Sequence, residues 1–445
     1  MSLLIQPTCA GDSKTGGSFE DARAGDAPET PEPEDATPGL DAAPEDAAPD
    51  VDFIGTWNLA LDMFFPKTGS ATAGTCTATP AGKVLVCSTA GDGNLTEFDP
   101  ASGTATQLLL PGVNVSGALR DAMGGTIVIG RSGINPLAAR LDMNNQAAWA
   151  WTFGAGLERP VDVVALDTTT FLVANAGRVL KVPVAGTGVT QVSFDTPAST
   201  IIRRLVALPG GGWALAAEIE RTFPEQDVLV MVVAANGTVT WQKLLANGGR
   251  HRVSSLTALS DGGLLLTGAL QPPGPSVAAT GWVVRFGSTG AVPWQQTYGT
   301  SGMLTLTGAV QTPTGFRIGG GSSGGLLALE LNGDGSVVLA TRYGSSTNPF
   351  LPMGAVATAS GELVLAGIST TTHAYNIVKT NADLTHNCID GQFRASVNAP
   401  AAASTLNVTD TAFAPTSGAV TTTPVTITPG ALQSLTLTNK CSKIP

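Results

Sequence analysis

Charged side chains and histidines are scarce in this chain of 445 residues. Asp, Glu, Lys and Arg together make up 13% of the sequence, and there are three histidines. Thirteen acidic and two basic residues lie between Asp12 and Asp52, which leaves 21 of each sign from Phe53 onward. The formal net charge of −11 therefore belongs to the N-terminal segment, and the body is neutral. Because a neutral body offers no basic surface, we predict no nucleic-acid partner.

Long apolar runs are also missing. The longest one, Val228 to Ala235, is far too short to cross a bilayer as a helix. Hydrophobic residues nevertheless make up 43% of the chain, and 54 residues are glycine. Little charge, many glycines and many Val, Thr and Ala residues predict an all-β protein with many tight turns.

The N-terminal segment is predicted to lie outside any folded core. Residues 10–52 are rich in Ala, Pro, Asp and Glu and predict a disordered acidic tether. Residues 1–9 are interpreted as a signal remnant that ends at Cys9. A cysteine before a long polar tether resembles the start of a mature bacterial lipoprotein, although Gln6-Pro7-Thr8 departs from a lipobox. Two interpretations of Cys9 stay open, a lipid anchor and an ordinary thiol in a disordered tail.

A repeated unit occupies residues 53–388. A short strand leads to a turn, and a strongly apolar strand that ends in small residues follows, as in Gly263-Leu264-Leu265-Leu266-Thr267-Gly268. The seven turns lie at positions 82, 125, 170, 212, 263, 315 and 361, with spacings of 42 to 52 residues. A second hairpin follows in each copy, for example around Asn236-Gly237. This period with four short strands predicts a seven-bladed β-propeller.

Closure of the ring follows from counting strands. The last blade has only three predicted strands, whereas the segment from Thr56 to Leu61 has no partner and resembles the fourth strands that contain Trp241 and Trp294. We therefore predict that the N-terminal strand closes the ring. The tryptophans, including Trp149 or Trp151, are interpreted as packing anchors rather than ligand stackers.

The remaining cysteines suggest an oxidising compartment. Cys76 and Cys87 would lie opposite each other in a two-residue hairpin centred on Ala81-Gly82. Cys388 and Cys441 bracket the C-terminal segment, residues 389–445, where Thr-rich alternation predicts two or three short strands in a small β appendage. Two disulfides would imply export. The alternative is four reduced, buried cysteines.

The units, with glycine turns followed by Val-x-Trp-Gln-Lys segments, resemble the Gly/Trp-repeat propellers of secreted and lipid-anchored bacterial proteins. They are also loosely similar to quinoprotein-like propellers, which usually have eight blades. The resemblance implies a fold rather than a function. It implies an exported protein, either an outer-membrane lipoprotein or an extracellular one, whose only membrane contact is a lipid anchor.

No residue pattern predicts catalysis or a cofactor. The three histidines lack metal-ligand spacing, and the Gly-x-Ser-x-Gly match at Gly320–Gly324 is interpreted as an accident of a Gly/Ser-rich loop. The competing hypotheses are a quinoprotein-like or lyase-type enzyme and a structural surface component. An enzyme would need acids, bases or a cofactor at the axial channel.

A candidate binding face is predicted where the longest loops and the most charges coincide. In a propeller, the connections between blades and those between second and third strands share one face. The predicted binding residues fall in such connections around the fourth blade: Arg203, Arg204, Glu218, Glu220, Arg221, Asp227, Arg250, His251 and Arg252. The chain is thus predicted to hold an envelope protein or a glycan there. The alternative is a solvated rim whose charges pair with one another.

Overall fold

The computed structural model describes the chain between residues 54 and 439, with gaps. The described residues are 54–57, 76–79, 82–88, 93–99, 102, 104–153, 160–194, 196–197, 199–221, 225–246, 249–272, 278–299, 303–322, 325–343, 350–357, 362–369, 375–380, 384, 394–396, 401–403, 407–420, 422–430, 432–435 and 438–439. The predictions for the acidic tether, Cys9, Cys388 and Cys441 fall outside them.

All regular elements of the described residues are β-strands. These residues include no helix that could span a membrane. Strand β1 (Ile54–Trp57) comes first. The next 27 strands form units of four, the last completed by β1. The units are: unit 1, β2 (Cys76–Ala78), β3 (Val84–Ser88), β4 (Gly93–Asp99), β5 (Thr104–Leu110); unit 2, β6 (Val113–Arg120), β7 (Thr126–Ser132), β8 (Asn135–Leu141), β9 (Ala147–Phe153); unit 3, β10 (Pro160–Ala165), β11 (Thr170–Asn175), β12 (Arg178–Pro183), β13 (Thr190–Phe194); unit 4, β14 (Thr200–Ala207), β15 (Trp213–Glu220), β16 (Gln226–Val233), β17 (Val239–Ala246); unit 5, β18 (Arg250–Ala258), β19 (Leu264–Gln271), β20 (Thr280–Phe286), β21 (Trp294–Tyr298); unit 6, β22 (Leu304–Gln311), β23 (Gly315–Ser322), β24 (Gly325–Asn332), β25 (Val337–Tyr343); and unit 7, β26 (Phe350–Ala357), β27 (Leu363–Ser369), β28 (Tyr375–Lys379) and β1.

Neighbouring strands of a unit pair antiparallel in the order given. Units 4 and 5 share one sheet through a single parallel pair, Gln226 with Arg250, whereas each other unit belongs to its own sheet. The prediction of an all-β protein built from repeated four-stranded units is therefore confirmed at this level.

Most tight turns have three residues and end on a residue with positive φ. Between β6 and β7, the amide of Asp121 donates to the carbonyl of Gly125 at 2.9 Å, and Gly124 has a φ of 78°. The same geometry recurs at Gly262, with a φ of 79°, and at Gly237, with a φ of 88°. Glycine suits these positions because a Cβ atom is strained in this region.

The first strands of the units contact one another. Each first strand from β6 to β22 contacts the first strand of the next unit, and β2 contacts β26. Units 2 to 7 carry a β-bulge in the first strand, as between Ile202 and Arg204. Side chains then hydrogen-bond between units, as when Thr257 Oγ1 donates to the Ala309 carbonyl at 3.3 Å.

The hydrophobic core lies in the seams between consecutive units. The cluster between units 3 and 4 joins Leu172 to the fully buried Trp213. A further cluster joins Phe98 of unit 1 to Ile377 of unit 7. Apolar side chains are therefore buried between the faces of neighbouring sheets. This explains why the second strand of a unit is mostly apolar on both faces.

In three units, a tryptophan near the start of the fourth strand packs on the following unit. Each indole donates to a carbonyl in the next unit's turn between third and fourth strands: Trp149 to Val184 at 2.8 Å, Trp241 to Ser288 at 2.9 Å, and Trp294 to Gly333 at 2.7 Å. The prediction that these tryptophans are packing anchors is confirmed, with Trp149 rather than Trp151 in the comparable place.

The C-terminal segment supplies a fifth strand to every unit. Its strands are β29 (Arg394–Ser396), β30 (Ala401–Ala403), β31 (Asn407–Asp410), β32 (Pro415–Ala419), β33 (Thr422–Pro424), β34 (Gln433–Leu435) and β35 (Thr438–Asn439). They pair antiparallel with the outer strands of units 6, 5, 4, 3, 2, 1 and 7, in that order. We call residues 394–439 the strap.

The strap differs from the small appendage that the sequence predicted. The predicted number of two or three strands was wrong. The seven strands of the strap have two to five residues each, and each one pairs with a different unit. Strands this short give little alternation, because the partner edge rather than the local sequence holds them extended.

Strand β1 pairs antiparallel with β28, the third strand of unit 7. Its register differs from the sequence alignment, however. Trp57 lies opposite Tyr375, the first residue of β28, whereas Trp241 lies opposite Val232 near the end of β16. The alignment of Trp57 with Trp241 was therefore wrong.

The first hairpin of unit 1 also differs in register. Cys76 lies opposite Val86 rather than opposite Cys87. The turn has three residues, closed by a 2.7 Å hydrogen bond from the Thr79 amide to the Lys83 carbonyl, and the extra residue shifts the register by one. Cys87 is buried. The Cys76–Cys87 bridge stays a prediction.

Candidate binding site

The predicted binding residues lie at one end of units 4 and 5, where their first strands begin. Most of them lie in strands rather than in connections, which corrects the sequence assignment. The structure places Arg203 and Arg204 in β14, Glu218 and Glu220 in β15, Arg221 in the turn after β15, Asp227 in β16, and Arg250, His251 and Arg252 in β18. Strands β15 and β16 are longer than expected because their pairing extends to Glu220 and Gln226.

Glu218 lies at the centre of this group. Its side chain is buried, and Oε2 accepts a 2.8 Å hydrogen bond from Arg203 Nε. Oε1 accepts a 2.9 Å hydrogen bond from the Val253 amide of unit 5. A buried carboxylate is tolerated only with such partners. Glu218 therefore joins units 4 and 5 and holds the Arg203 side chain.

Arg252 is exposed beside two further guanidinium groups. Partial burial of the guanidinium lowers the pKa of Arg252 most, the charges of Arg250 and Arg203 lower it further, and Glu218 opposes them. An arginine keeps its proton in proteins, so the lowered pKa reports a charged group that is both partly desolvated and repelled by its neighbours. In the described part of the chain, the Arg252 side chain forms no hydrogen bond or ion pair, whereas its backbone carbonyl accepts a 3.3 Å hydrogen bond from Trp282 Nε1. We call Arg203, Arg250 and Arg252 the arginine cluster.

Arg250 is positioned by a neutral partner. Its Nε donates to Gln226 Oε1 at 3.0 Å, and no carboxylate among the described residues forms an ion pair with it. The arginine cluster thus shares one carboxylate, Glu218, which is already bonded to Arg203 and to Val253. An approaching anion would meet excess positive charge.

Arg204 has a structural role instead. Its guanidinium donates to the backbone carbonyls of Ser254 in unit 5 and of Arg203, the latter at 2.8 Å. Asp162 is buried nearby and accepts a 2.7 Å hydrogen bond from the Leu205 amide. Burial raises the pKa of Asp162, although the charge of Arg204 opposes this. These contacts fasten units 3, 4 and 5 to one another.

His251 is a core side chain. It is fully buried, and its Nδ1 lies 2.7 Å from the Gln226 carbonyl. Its ring meets that of Trp282 edge to face, with centroids 5.9 Å apart. Burial lowers the pKa of His251. The imidazole is thus kept neutral and packs within unit 5.

The outer charges of the group have partners within it. Arg221 Nε donates to the buried Asp227 at 2.6 Å, and Glu220 accepts a 3.5 Å hydrogen bond from Gln226 Nε2. The two hypotheses for this face therefore apply to different residues. Its outer part is an internally paired rim, and the arginine cluster is the part with unbalanced charge.

Two contributors were missed by sequence reasoning. Gln226 contacts Arg250, His251 and Glu220, yet an uncharged side chain gives no signal in a charge pattern. Asp162 was detectable, because a single acid inside the apolar run of β10 indicates a buried, specifically bonded carboxylate.

The Gly-x-Ser-x-Gly match begins inside a β-strand, whereas a nucleophile elbow lies in a turn between a strand and a helix. Gly320, Gly321 and Ser322 are part of β23, and Ser322 lies opposite Leu304 and Gly325 in two antiparallel pairings. Within the described ranges, no three His, Cys, Asp or Glu side chains gather as a metal ion would require.

Solved structures similar to this chain are β-propeller-like proteins. Streptogramin B lyase shares 10% identity at a TM-score of 0.51, and the match covers 74% of this chain and 98% of that one. The chain has a β-propeller fold. This propeller also resembles puromycin hydrolase, with 13% identity, a TM-score of 0.41 and a match that covers 76% of this chain and 54% of that one. It resembles glucose dehydrogenase with 13% identity and a TM-score of 0.27, and that match covers 51% of this chain and 97% of the other.

At these sequence identities the likeness shows the fold alone, and the TM-scores of 0.41 and 0.27 are too low to support any conclusion. No family model matches the propeller, and no curated protein matches it either. The activities named for the similar structures are therefore not transferred to this chain.

Proposed function

We propose that units 1 to 7 are the seven blades of one propeller ring, closed by β1. The contact between β2 and β26 supports the ring, as does the hydrophobic cluster shared by units 7 and 1. The pairing of β1 with β28 supports the closing strand. A ring leaves no sheet face of a terminal unit exposed, which is the physical advantage of closure.

We propose that the propeller is a binding module that holds an acidic group of a protein or glycan on the arginine cluster. The observation that carries this proposal is the exposed Arg252 side chain, which lies beside Arg250 and Arg203 and forms no hydrogen bond or ion pair within the described part of the chain. A carboxylate would remove the repulsion and bind in the bidentate geometry that arginine favours.

Export is part of the proposal, as an outer-membrane lipoprotein or an extracellular protein with an envelope protein or glycan as partner. It rests on the acidic N-terminal segment that follows Cys9 and on the predicted, untested pairing of Cys76 with Cys87 and of Cys388 with Cys441.

The test measures binding of two acidic polymers to the immobilised full-length chain, poly-L-glutamate for a protein source and polygalacturonate for a glycan source. We expect at least one to bind, with affinity that falls as salt rises. Arg252→Gln should weaken that binding about tenfold, since a charge-assisted hydrogen bond contributes about 1.5 kcal/mol.

The matched control is Arg221→Gln, because Arg221 is also exposed but is paired with Asp227. It should leave the affinity unchanged. If neither polymer binds, or if both variants weaken binding equally, the arginine cluster is not the binding site.

A further inference from the structure

Apolar residues recur every seven positions in the strap. Phe413, Val420 and Ile427 are separated by seven residues each. The strands β31, β32 and β33 begin at nearly the same interval, at Asn407, Pro415 and Thr422. One seven-residue repeat therefore supplies one strand and one apolar side chain, and successive repeats reach successive units.

Each of these apolar side chains packs into a seam. Phe413 lies between β31 on unit 4 and β32 on unit 3, and it packs against the cluster shared by those two units. Val420 packs against the cluster of units 2 and 3. Ile427 is buried in the cluster of units 1 and 2. The strap thus contributes apolar side chains to the outer part of three consecutive seams.

Polar contacts hold the strap on the same units. Lys243 Nζ donates to Asp410 at 2.6 Å, and Gln242 Nε2 donates to the Phe413 carbonyl at 3.3 Å. Backbone hydrogen bonds continue beyond the strands, from the Val425 amide to the Ala150 carbonyl at 3.0 Å. These contacts fix the register, so that each apolar residue meets its own seam.

The last strand of the strap reaches the N-terminal strand. In β35, Thr438 lies opposite Thr56 and Asn439 lies opposite Gly55, both in β1. Strand β1 therefore has a partner on each side, β28 and β35. The two end strands of the described chain lie side by side in one sheet.

We infer that the outer perimeter of the sheets is a docking surface for an extended peptide with an apolar residue at every seventh position, and that the strap of the same chain occupies it. Because Phe413, Val420 and Ile427 each pack into a hydrophobic cluster shared by two units, those units separate only after the strap has left their seam. The strap therefore controls the rate of unfolding. This inference does not depend on the arginine cluster.

The test compares two pairs of variants in the full-length chain. Phe413→Ala and Ile427→Ala remove side chains from seams, whereas Thr416→Ala and Thr426→Ala change exposed side chains of the same segment. Hydrogen exchange followed by mass spectrometry reports on the strap amides, and unfolding in denaturant reports on the seams. We expect the seam variants to raise strap exchange and the unfolding rate about tenfold, and the controls to change both less than about twofold.

Four results would overturn the inference. Strap amides of the wild type that exchange as fast as in the unfolded chain would show that the strap is not docked. Equal effects of Phe413→Ala and Thr416→Ala would show that the seams do not hold it, and faster strap exchange without faster unfolding would remove its control of unfolding. Protected strap amides found only in concentration-dependent dimers would make a second copy the occupant. Binding of poly-L-glutamate should be the same in all four variants.

Discussion

At the scale of single residues, three glycines make room for indole rings. A Cβ atom would lie 2.6 Å from the ring of Trp149 at Gly186, 2.8 Å from Trp241 at Gly290 and 2.9 Å from Trp294 at Gly335. Each of these glycines also has a φ between 75° and 85°. A glycine in the turn of one unit and a tryptophan in the preceding unit are therefore a matched pair across a seam.

The substitution Gly290→Ala should lower the free energy of unfolding by about 2 to 4 kcal/mol. About 1 kcal/mol is expected from the positive φ, and the rest from overpacking against Trp241. Gly237→Ala is the matched control, because Gly237 has a φ of 88° and nothing within 4 Å of the added Cβ. Denaturant unfolding measures both. Equal losses in the two variants would show that the ring does not need the glycine.

Residue roles at the binding site were only partly predictable. Sequence reasoning grouped nine residues that the structure places at one end of units 4 and 5, because charge is rare in the body of this chain. It did not separate Arg252 from Arg221, since both are exposed arginines near carboxylates. The difference depends on which strand register brings Asp227 to Arg221 and leaves Arg252 beside Arg250, and register is a property of the whole sheet.

At the scale of elements, Glu97 connects strands of two units. It accepts hydrogen bonds from Lys83, the residue before β3, at 3.0 Å and from Arg120 in β6 at 2.9 Å and 2.7 Å. Burial tends to raise the pKa of Glu97, but these hydrogen bonds and charges outweigh it and the pKa is lowered. The native state therefore favours the ionised carboxylate more than the unfolded state does.

This contact should make stability sensitive to acid. Its contribution is present above the unfolded pKa of about 4.5 and is lost as pH falls through the lower folded pKa. We expect Glu97→Gln to cost about 2 kcal/mol at pH 7 and much less at pH 3. Unfolding curves at both pH values measure the difference. A cost that is the same at both would mean that ionised Glu97 adds no stability.

The four-stranded repeat was predictable because each turn is encoded locally. Gly124, Gly237 and Gly262 terminate turns that the local sequence specifies, so the hairpins could be located from spacing alone. The errors concern register. A single extra turn residue places Cys76 opposite Val86, whereas Trp57 lies opposite Tyr375 in a strand that no tight turn joins to β28.

At the scale of the whole molecule, the propeller fold was foreseeable and the strap was not. A spacing of 42 to 52 residues between turns indicates blades, because each blade is a self-contained stretch of chain. The strap instead pairs each short strand with a sheet that is distant in sequence, as between Thr416 and Ser193. Its one local signal is the seven-residue spacing of Phe413, Val420 and Ile427.

The central claim is that the C-terminal segment lies along the outer edges of the propeller, and zero-length carbodiimide cross-linking tests it most directly. This reagent joins an amine to a carboxylate in contact. Lys243 Nζ and Asp410 lie 2.6 Å apart, and Lys83 with Glu97, at 3.0 Å within unit 1, is the internal control. We expect mass spectrometry of the monomer to find both cross-links, and Asp410→Asn to remove only the first. Formation of the Lys83–Glu97 cross-link without the Lys243–Asp410 one would contradict the account.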